Sequence, residues 1–570
     1  MLHCSPGEIE SRCPEGNCEL IDDNGESKLV AKLYTKELVD IKIDMAPDDW
    51  ELLRAQYRST HELFGSADCN NKQLPKPYTY FPSTVTIDGN VIENSTVRKK
   101  GLIGSQSTLK PSLKVRFDHI DTEQRYLDTD GFALNNLKSD GSNVRSCLTY
   151  KILEDNGIPS SRCTFAKVEI NDEPFGVFAL VEEVKKPFLQ RTFGDDEGNL
   201  YEGTVNDFKA DVIHGFEQDT NERSDPSRAD LAKVLDIVES TSSKADDSFI
   251  GLDTVFNLDA YYKFWAAEIL ISHRDGYAGN TNNFYIYANP NDNGRFHFIP
   301  WGVDFTLRRE TRVDVPKSLF AFGKLPNLLY QSEESRIKLF TELNHQLETG
   351  FDEEELLEWA DHRRRIIEPF VRPQDLDFFH SDFVNVRESI LVRRKDIADS
   401  LKDGHPEWTA GLRGSICRPE VGSMQGRIRV NWDSLQDDWW ESALDGEFAY
   451  TIDGQPASVV ERIGARAGVH EATGRKWIRI LYNMDNGYRY TFSMLMPDPR
   501  FFDELKEGET AINYQPAYST TVSVHDLNQT PALLLNRYQL GEGFITGVEL
   551  NTEEDGVVEV TFDAKAFQLL

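Results

Sequence analysis

The hydrophobic pattern of this chain changes near residue 404, and that change limits the possible folds more than any other feature of the sequence. Between Leu33 and about Gly404, segments with helical periodicity alternate with segments typical of strands. From about Gly411 onward, short alternating strands are separated by Gly, Asp and Asn turns. At 570 residues the chain also exceeds what one hydrophobic core usually serves. We therefore predict an α+β fold with a mixed domain at residues 33–404, an all-β sandwich-like domain at residues 405–570, and a cysteine-containing N-terminal extension at residues 1–32.

The charge of the chain argues against a polyanionic partner. Lys and Arg number 62 against 96 Asp and Glu, which gives a formal net charge of -34. Such a field repels phosphate backbones, so we expect no nucleic-acid partner. A nucleotide is still compatible, because a few local cations and a divalent metal suffice to hold a triphosphate in a cleft. The sequence has no run of about 18 apolar residues, so we do not expect it to span a membrane.

Cysteine usage favours an exported protein. Four of the seven cysteines fall in the first 69 residues: Cys4, Cys13, Cys18 and Cys69. Their polar, turn-rich surroundings are typical of disulfides in secreted proteins. A metal knuckle is the alternative, but Cys13 and Cys18 lack the two-residue spacing and the second pair of a zinc site. Because the total is odd, at least one thiol is expected to be free, and buried Cys147 or Cys163 is our candidate.

Several local elements are predicted within the mixed domain. Three strands are expected between Tyr80 and Phe117, followed by a helix at Asn143–Asn156. The segment CTFAKVEI-NDEP-FGVFALVEEV predicts a hairpin, because its apolar residues alternate on both sides of a polar turn. Two further helices are predicted at about Leu258–Ser272 and Phe383–Lys402.

The segment from His273 to Leu307 carries the most chemical information. It reads HRDGYAGNTNNFYIYANPNDNGRFHFIPWGVDFTL, which predicts a polar loop, a β-hairpin and a second acidic position. Because a hairpin returns the chain to its starting point, we expect Asp275, Asn283 and Asp304 to converge at one rim. Two carboxylates and an amide oxygen suit Mg²⁺, which prefers hard oxygen ligands. Phosphoryl transfer needs such a metal, an Asp that accepts the hydroxyl proton, and cations on the phosphates.

Cations cluster upstream in an otherwise acidic chain. Five basic residues surround the sequence GLIGSQST: Arg98, Lys99, Lys100, Lys110 and Lys114. Gly101 and Gly104 would let backbone N–H groups approach an anion, and Lys114 on the following strand would reach its phosphates. The alternative interpretation of this cluster is a solvated strand face.

Several ordered motifs between about Val39 and Leu307 resemble the CotH kinase family, atypical kinases of bacterial spore coats and of many exported proteins. The resemblance is carried by VRKKGLIGSQS with KPSLKVRF, GFALNNLKSDGSNVRSCLTYKILEDNGIP, FGVFALVEEVKKPFL, GNLYEG, HRDGYAGNTNNFYIY and FHFIPWGVDFTL. A set of motifs in a fixed order is much more specific than any one of them. The resemblance implies an atypical protein-kinase-like domain that uses ATP with Mg²⁺ or Mn²⁺ and phosphorylates Ser or Thr on partner proteins.

The resemblance also assigns roles to individual residues. It implies that Asp275 is the catalytic-loop aspartate, that Asn283 binds metal, and that Asp304 is the metal-binding aspartate of a DFG-type motif. Lys114 would be the strand lysine on the phosphates. The remaining residues that it implies for the nucleotide cleft are Lys100, Arg98 and Glu182.

Two positions depart from the family pattern. The second metal motif of the family usually reads Trp-Asp-x-Asp, whereas this chain has Gly302 after Trp301. The usual acidic residue of the Asn143 helix is Ser146. These departures support an alternative function, a non-catalytic surface adhesin or coat scaffold on the same fold. A glycoside hydrolase with paired carboxylates is a third possibility, although it does not explain the Gly/Lys cluster. In the leading interpretation the protein is secreted or held at the cell envelope or surface.

Overall fold

The computed structural model describes residues 28–58, 63–66, 68–102, 105–209, 212–241, 248–309, 315–456, 458–470, 475–496, 506–508, 510–512, 519–553 and 555–569. Its helices are α1 (Lys28–Tyr34), α2 (Pro47–Ala55), α3 (Arg145–Asp155), α4 (Lys186–Phe193), α5 (Ala229–Ser240), α6 (Ser248–Asp253), α7 (Leu258–Leu270), α8 (Tyr277–Asn280), α9 (Lys324–Tyr330), α10 (Glu333–Thr349), α11 (Glu353–Ile367), α12 (Leu376–Leu401) and α13 (Trp439–Ser442).

Among the described residues, two sheets lie before residue 404 and one lies after it. The strands before residue 404 are β1 (Leu38–Asp44), β2 (Phe81–Ile87), β3 (Asn90–Lys100), β4 (Ser112–Arg116), β5 (Gly131–Asn135), β6 (Cys163–Ile170), β7 (Glu173–Val181), β8 (Leu200–Gly203), β9 (Glu217–Gln218), β10 (Phe284–Asn289) and β11 (Arg295–Pro300). The later strands are β12 (Glu420–Asn431), β13 (Ala443–Ile452), β14 (Gln455–Pro456), β15 (Val460–His470), β16 (Arg475–Met484), β17 (Tyr488–Leu495), β18 (Thr510–Ile512), β19 (Ser519–Asp526), β20 (Leu533–Leu550) and β21 (Val557–Gln568). The predicted α+β fold is confirmed.

The first sheet is a closed barrel in the order β1-β2-β3-β4-β5-β7-β6. Strand β1 alternates between buried and more exposed residues, and its Val39, Ile41 and Ile43 point into the barrel core. Strands β5 and β7 are buried along most of their length. The parallel pairing of β1 with β6 closes the barrel. The three strands predicted between residues 80 and 117 are confirmed as β2, β3 and β4. The predicted hairpin is also confirmed, and its turn residues Asn171 and Asp172 both have positive φ, as a type I′ turn requires.

The second sheet and most helices form a larger core beside the barrel. Its strand order is β11-β10-β8-β9, and α7 packs on β11 and on α10. Helix α7 begins at the Asn257 cap, whose side chain accepts a hydrogen bond from the Ala260 N–H. Helices α3 and α7 confirm two predicted helices, and α12 begins at Leu376, seven residues before the predicted start. None of the described helices is both long and apolar enough to cross a bilayer.

The C-terminal residues form one sheet of ten strands around a core of their own. The sheet curves until β15 packs against β12 and β13, which gives the predicted sandwich-like arrangement. Helix α12 ends at Leu401, and β12 begins at Glu420. The division of the chain at residues 404 and 405 stays a prediction, as does the boundary at residue 32, which falls inside α1.

Two disulfides occur among the described residues, Cys69–Cys417 and Cys147–Cys163. The expectation that Cys147 or Cys163 is a free thiol was therefore wrong. Helix α3 packs on β6, and this packing brings the two Cα atoms to 5.1 Å, within reach of a disulfide. Cys4, Cys13 and Cys18 lie outside the described residues.

Candidate active site

A cleft of about 270 Å³ lies between the barrel and the β8–β11 sheet. The barrel contributes Lys100 of β3 and Lys114 of β4 to its lining. The other wall carries Trp301 and Asp304, which follow β11. The hairpin of β10 and β11 therefore returns the chain to this cleft, as the sequence pattern predicted.

Strand alternation sorts the basic cluster into two groups. Arg98 and Lys100 point from β3 into the cleft, and Lys114 lies opposite Arg98 on β4. Lys99 points the other way, is fully buried, and donates to the Arg54 carbonyl over 2.6 Å. Lys110 is also buried and donates to a backbone carbonyl of β7. Three of the five cations therefore face the cleft and form an anion-binding wall. In the glycine-rich loop, Gly101 lines the cleft, whereas Gly104 lies outside the described residues.

Lys114 makes the main ion pair of the cleft. Its Nζ lies 2.6 Å from Glu183 Oε1, and both side chains are nearly buried. Burial alone would raise the pKa of Glu183, but Lys114 brings that pKa below its usual range. Glu182, the residue implied by the family resemblance, points away from the cleft and pairs with Arg191 over 2.7 Å. The acidic residue that faces the cleft is thus Glu183.

Lys100 is held between an amide and an indole ring. Its Nζ donates to Asn135 Oδ1 over 3.0 Å and lies 5.2 Å from the centre of the Trp301 ring. Burial lowers the pKa of Lys100 to about 8. Nearby Glu202 has its pKa raised to about 7, mainly by burial and then by Asp219. The cleft is thus lined by groups that are partly removed from water.

Asp304 has an unusually basic carboxylate. Burial raises its pKa to about 6, and Asp275 and Asp140 add to the effect. Asp304 forms no ion pair with any residue that the structure describes. A partly desolvated carboxylate near two other carboxylates favours a cation, so this donor set fits a divalent metal. No group of three or more His, Cys, Asp or Glu side chains in the described ranges is arranged to hold a metal by itself.

Asp275 is oriented by asparagine side chains. Asn280 Nδ2 donates to one carboxylate oxygen over 2.7 Å, and Asn283 Nδ2 donates to the other over 2.8 Å. Asn283 also lines the cleft, as Asp304 does, so the residue that orients Asp275 shares this cleft with Asp304. Burial raises the pKa of Asp275, and the asparagine hydrogen bonds oppose this shift.

The loop that carries Asp275 is fixed by a buried carboxyl group. Glu268 accepts hydrogen bonds from the Tyr277 and Ala278 N–H groups over 2.7 and 2.8 Å. Position 276 requires glycine, because an added Cβ would lie 2.0 Å from Glu268 Oε1 and 2.6 Å from His273 Nδ1. Burial raises the pKa of Glu268 to about 8 and lowers that of His273 to about 4. His273 therefore acts as a neutral core residue of the loop.

Asp275 also borders a second cavity, of about 430 Å³. The walls of this cavity are largely apolar and include Phe305, Val315, Phe320 and Phe322. Asp275 itself does not line the cleft, and its link to the cleft is the hydrogen bond from Asn283. A group bound in the second cavity would reach its carboxylate directly.

The two departures from the family pattern have structural explanations. Gly302 has φ +55, and a Cβ there would lie 2.4 Å from Asn283 Oδ1, so an aspartate at this position would require the Asn283 side chain to move. Ser146 donates to Asp140 through its backbone N–H over 3.0 Å. Asp140 in turn pairs with fully buried Arg145, and its charge raises the pKa of Asp304. An acidic group near position 146 is therefore supplied by Asp140.

The sequence pattern did not identify Glu183, Asn280 or Glu268. For Glu183 a signal existed, because it is adjacent to Glu182 and only one of two neighbouring side chains can face the cleft. No comparable signal existed for Asn280 and Glu268, since their roles depend on the fold of the loop at residues 273–283. The family roles of Lys114, Lys100, Arg98, Asp275, Asn283 and Asp304 stay predictions, although the structure gathers all six residues around one cleft and its rim.

Comparison with known proteins identifies related sequences. The model of the family "CotH kinase protein" matches residues 97–382, about half of the chain. Invasin CotH3 of Rhizopus delemar is 22% identical over 192 residues, which cover 31% of this chain and 31% of that protein. Invasin CotH2 of the same organism is 23% identical over 205 residues, with 33% of each chain covered. The chain thus spans about a third of the length of these curated relatives.

A solved structure also aligns with the chain. It is that of the Helicobacter pylori proinflammatory kinase CtkA, which is 8% identical to this chain. The alignment covers 56% of this chain and 95% of CtkA with a TM-score of 0.24.

Proposed function

This chain belongs to the CotH kinase protein family, and on that premise we propose that it transfers the γ-phosphoryl group of ATP to Ser or Thr hydroxyls of partner proteins. One observation carries the proposal. The Lys114–Glu183 ion pair shares a single cleft with Asp304 and Asn283, and Asn283 is hydrogen-bonded to Asp275. Phosphoryl transfer requires this combination of a phosphate cation, metal ligands and an aspartate that faces the acceptor.

The basic wall of the cleft would bind the triphosphate. Lys114 is fixed by Glu183, so its ammonium group is already in place before a phosphate arrives. Lys100 and Arg98 add positive charge from the neighbouring strand of the same wall. Such pre-organised cations stabilise charge on the transferred group without further rearrangement.

Asp304 and Asn283 would hold the metal. These two side chains would bind Mg²⁺ or Mn²⁺ through oxygen atoms, and the charge of that cation would stabilise negative charge on the phosphates. Two oxygen ligands from the protein match the preference of Mg²⁺ for one or two side chains, with phosphates and waters as the other ligands. Asp304 gains most from such a cation, because its carboxylate is otherwise destabilised by burial and by Asp275.

Asp275 would accept the proton of the acceptor hydroxyl. The acceptor would approach through the second cavity, since Asp275 borders that cavity and is hydrogen-bonded to Asn283 in the wall of the cleft. The two asparagine hydrogen bonds fix both carboxylate oxygens and so define which lone pairs face the hydroxyl.

Transfer of label from ATP labelled on its γ-phosphate tests the proposal. The protein is incubated with labelled ATP, Mg²⁺ or Mn²⁺ and an acceptor protein rich in Ser and Thr. We expect label on the acceptor, and a loss of at least about a hundredfold in Asp275→Asn and Asp304→Asn. The exposed variant Asp399→Asn, far from the cleft, serves as a matched control. Incorporation that survives both cleft substitutions would rule out the assignment.

A non-catalytic surface function is the second candidate, and two observations favour it. The matched relatives are named invasins, and Gly302 replaces a family carboxylate. On this account the fold serves adhesion or acts as a coat scaffold, and the cleft binds no nucleotide. A thermal shift measured with ATP and Mg²⁺ discriminates between the candidates, because only a nucleotide-binding protein is stabilised by millimolar ATP.

We also propose that the protein is secreted or held at the cell surface. The disulfides Cys69–Cys417 and Cys147–Cys163 support this location, because such bonds persist in oxidising compartments. Fractionation of the producing cells with an antibody against the chain tests this assignment.

A further inference from the structure

The segment at residues 405–419, which we call the strap, connects α12 to β12 across the surface of the helical core. At its start, the Pro406 carbonyl accepts a hydrogen bond from Tyr330 Oη over 2.6 Å, and Trp408 packs edge-on against Phe322 with ring centres 4.8 Å apart. At its end, Cys417 is bonded to Cys69. The strap is therefore attached at both ends, although it contains no helix or strand.

Arg413 lies between these two attachments and points toward the catalytic loop. Its backbone N–H donates to the Phe322 carbonyl over 2.8 Å. Its Nε donates to Asn280 Oδ1 over 2.7 Å. Leu412 beside it is 44% exposed, whereas the Arg413 side chain is half-buried. The strap thus presents one arginine to the loop.

Asn280 links Arg413 to Asp275 through two hydrogen bonds. Its Oδ1 accepts from Arg413, so its Nδ2 faces Asp275 Oδ1 and donates over 2.7 Å. A reversed amide would place its oxygen against the carboxylate and its NH₂ group against the guanidinium, and both contacts would be repulsive. Arg413 therefore fixes the orientation of Asn280, and Asn280 fixes one oxygen of Asp275.

We propose that Arg413 is a positioning residue for phosphoryl transfer, acting through Asn280 on Asp275, so that the strap outside the family match completes the catalytic loop. This inference rests on the proposed function. The contact does not touch the cleft that would bind ATP, since neither Arg413 nor Asn280 lines it. Arg413 should therefore influence the rate of transfer and leave nucleotide binding unchanged.

Steady-state kinetics of Arg413→Ala in the full chain test the inference. We expect kcat to fall by about ten- to a hundredfold while the KM for ATP stays within about twofold. A small displacement of the Asp275 carboxylate would slow the chemical step without changing the contacts that bind ATP. Arg413→Lys keeps a charged donor and should recover part of the loss. Arg418→Ala is the matched control, because that arginine lies on the same strap but donates to Gln539 of the β-domain.

Hydrogen exchange provides a readout that does not require activity. We expect Arg413→Ala, and the strap-releasing variant Cys417→Ser, to speed amide exchange at residues 275–283, whereas Arg418→Ala does not. Unchanged kcat and unchanged exchange in Arg413→Ala would overturn the inference. A fall in kcat of equal size in Arg418→Ala, or a parallel rise in the KM for ATP, would also overturn it. The wild-type chain could transfer no phosphate while Arg413→Ala still speeds amide exchange at residues 275–283. In that case the proposed function is wrong, and the contact of Arg413 with the loop is confirmed.

Discussion

Lys114 Nζ and Glu183 Oε1 lie 2.6 Å apart in the wall of a cleft whose opposite side carries Asp304. The two residues belong to β4 and to the segment that follows β7, and β5 brings these parts of the chain together because it pairs with both β4 and β7. The pair holds a cation in place at the position where a triphosphate would need one.

Glu183 and Glu182 should differ sharply in their effects on catalysis. Glu183→Gln removes the charge that fixes Lys114, so we expect kcat/KM for ATP to fall by about ten- to a hundredfold. Glu182→Gln weakens the ion pair with Arg191 outside the cleft, so we expect a lower Tm and an unchanged KM for ATP. Kinetics and thermal unfolding of the two variants provide the comparison. Equal catalytic losses would argue against a special role for Glu183.

Nucleotide affinity should weaken above pH 8. Burial lowers the pKa of Lys100 to about 8, while Glu183 and Glu202 oppose this shift and Lys114 and Arg98 reinforce it. Below that pH the free cleft carries a charged amine. Above it the Lys100 amine of the free protein is neutral, so Lys100 must take up a proton when the triphosphate binds. The affinity for ATP therefore falls by up to about tenfold per pH unit.

Lys100→Arg is the control for this pH dependence, because an arginine stays charged throughout the range. Calorimetric titration with ATP and Mg²⁺ between pH 7 and 9.5 should give a falling affinity for the wild type and a flat profile for the variant. A flat wild-type profile would mean that the Lys100 ammonium does not contact the phosphates.

Restoring the family carboxylate at position 302 should impair the protein. An aspartate there adopts φ +55 and places its Cβ 2.4 Å from Asn283 Oδ1, so Asn283 must move away from Asp275. We expect Gly302→Asp to lower kcat by about tenfold or more. Gly294→Asp is the control, because Gly294 has a similar positive φ of +74 but open space around an added Cβ. It therefore measures the effect of backbone strain without a steric clash against a neighbouring side chain. An increase in metal affinity or in activity in Gly302→Asp would contradict the structure.

Asp382 should be a major contributor to stability. It accepts two hydrogen bonds from fully buried Arg145, over 2.8 and 2.9 Å, and so connects α12 to α3. Asp382→Ala removes these two hydrogen bonds and leaves Asp140 as the carboxylate partner of Arg145, so it should cost about 3 kcal/mol in the free energy of unfolding. Asp399→Ala on the same helix removes an exposed pair with Lys395 and should cost less than about 1 kcal/mol. Urea unfolding of both variants measures the difference, and similar values would refute the role of the buried pair.

Local periodicity predicted much of the secondary structure. The strands β2, β3 and β4, the hairpin of β6 and β7, and helices α3 and α7 all follow from patterns within short windows. The closed barrel could not be predicted in this way, because its closure depends on the parallel pairing of β1 with β6. The same limit applies to the disulfide between Cys69 and Cys417, which joins positions 348 residues apart.

The candidate site was predictable where the chemistry lies within one motif. Asp275, Asn283 and Asp304 were identified because a hairpin returns the chain to the same rim. Glu183 was missed in favour of Glu182, because strand parity at the end of β7 decides which of the two faces the cleft. Arg413 carries no signal in its own sequence window, since its contact with Asn280 arises only when the strap is laid over the helical core.

A crystal structure with Mg²⁺ and a non-hydrolysable ATP analogue tests the central claim most directly. We predict that the phosphates lie between Lys114 and Asp304, with the metal bound by Asp304 and Asn283 and the terminal phosphate facing Asp275. Crystals in which the cleft stays empty at saturating analogue, or in which the analogue binds with Lys114 and Asp304 out of reach of its phosphates, would contradict the account.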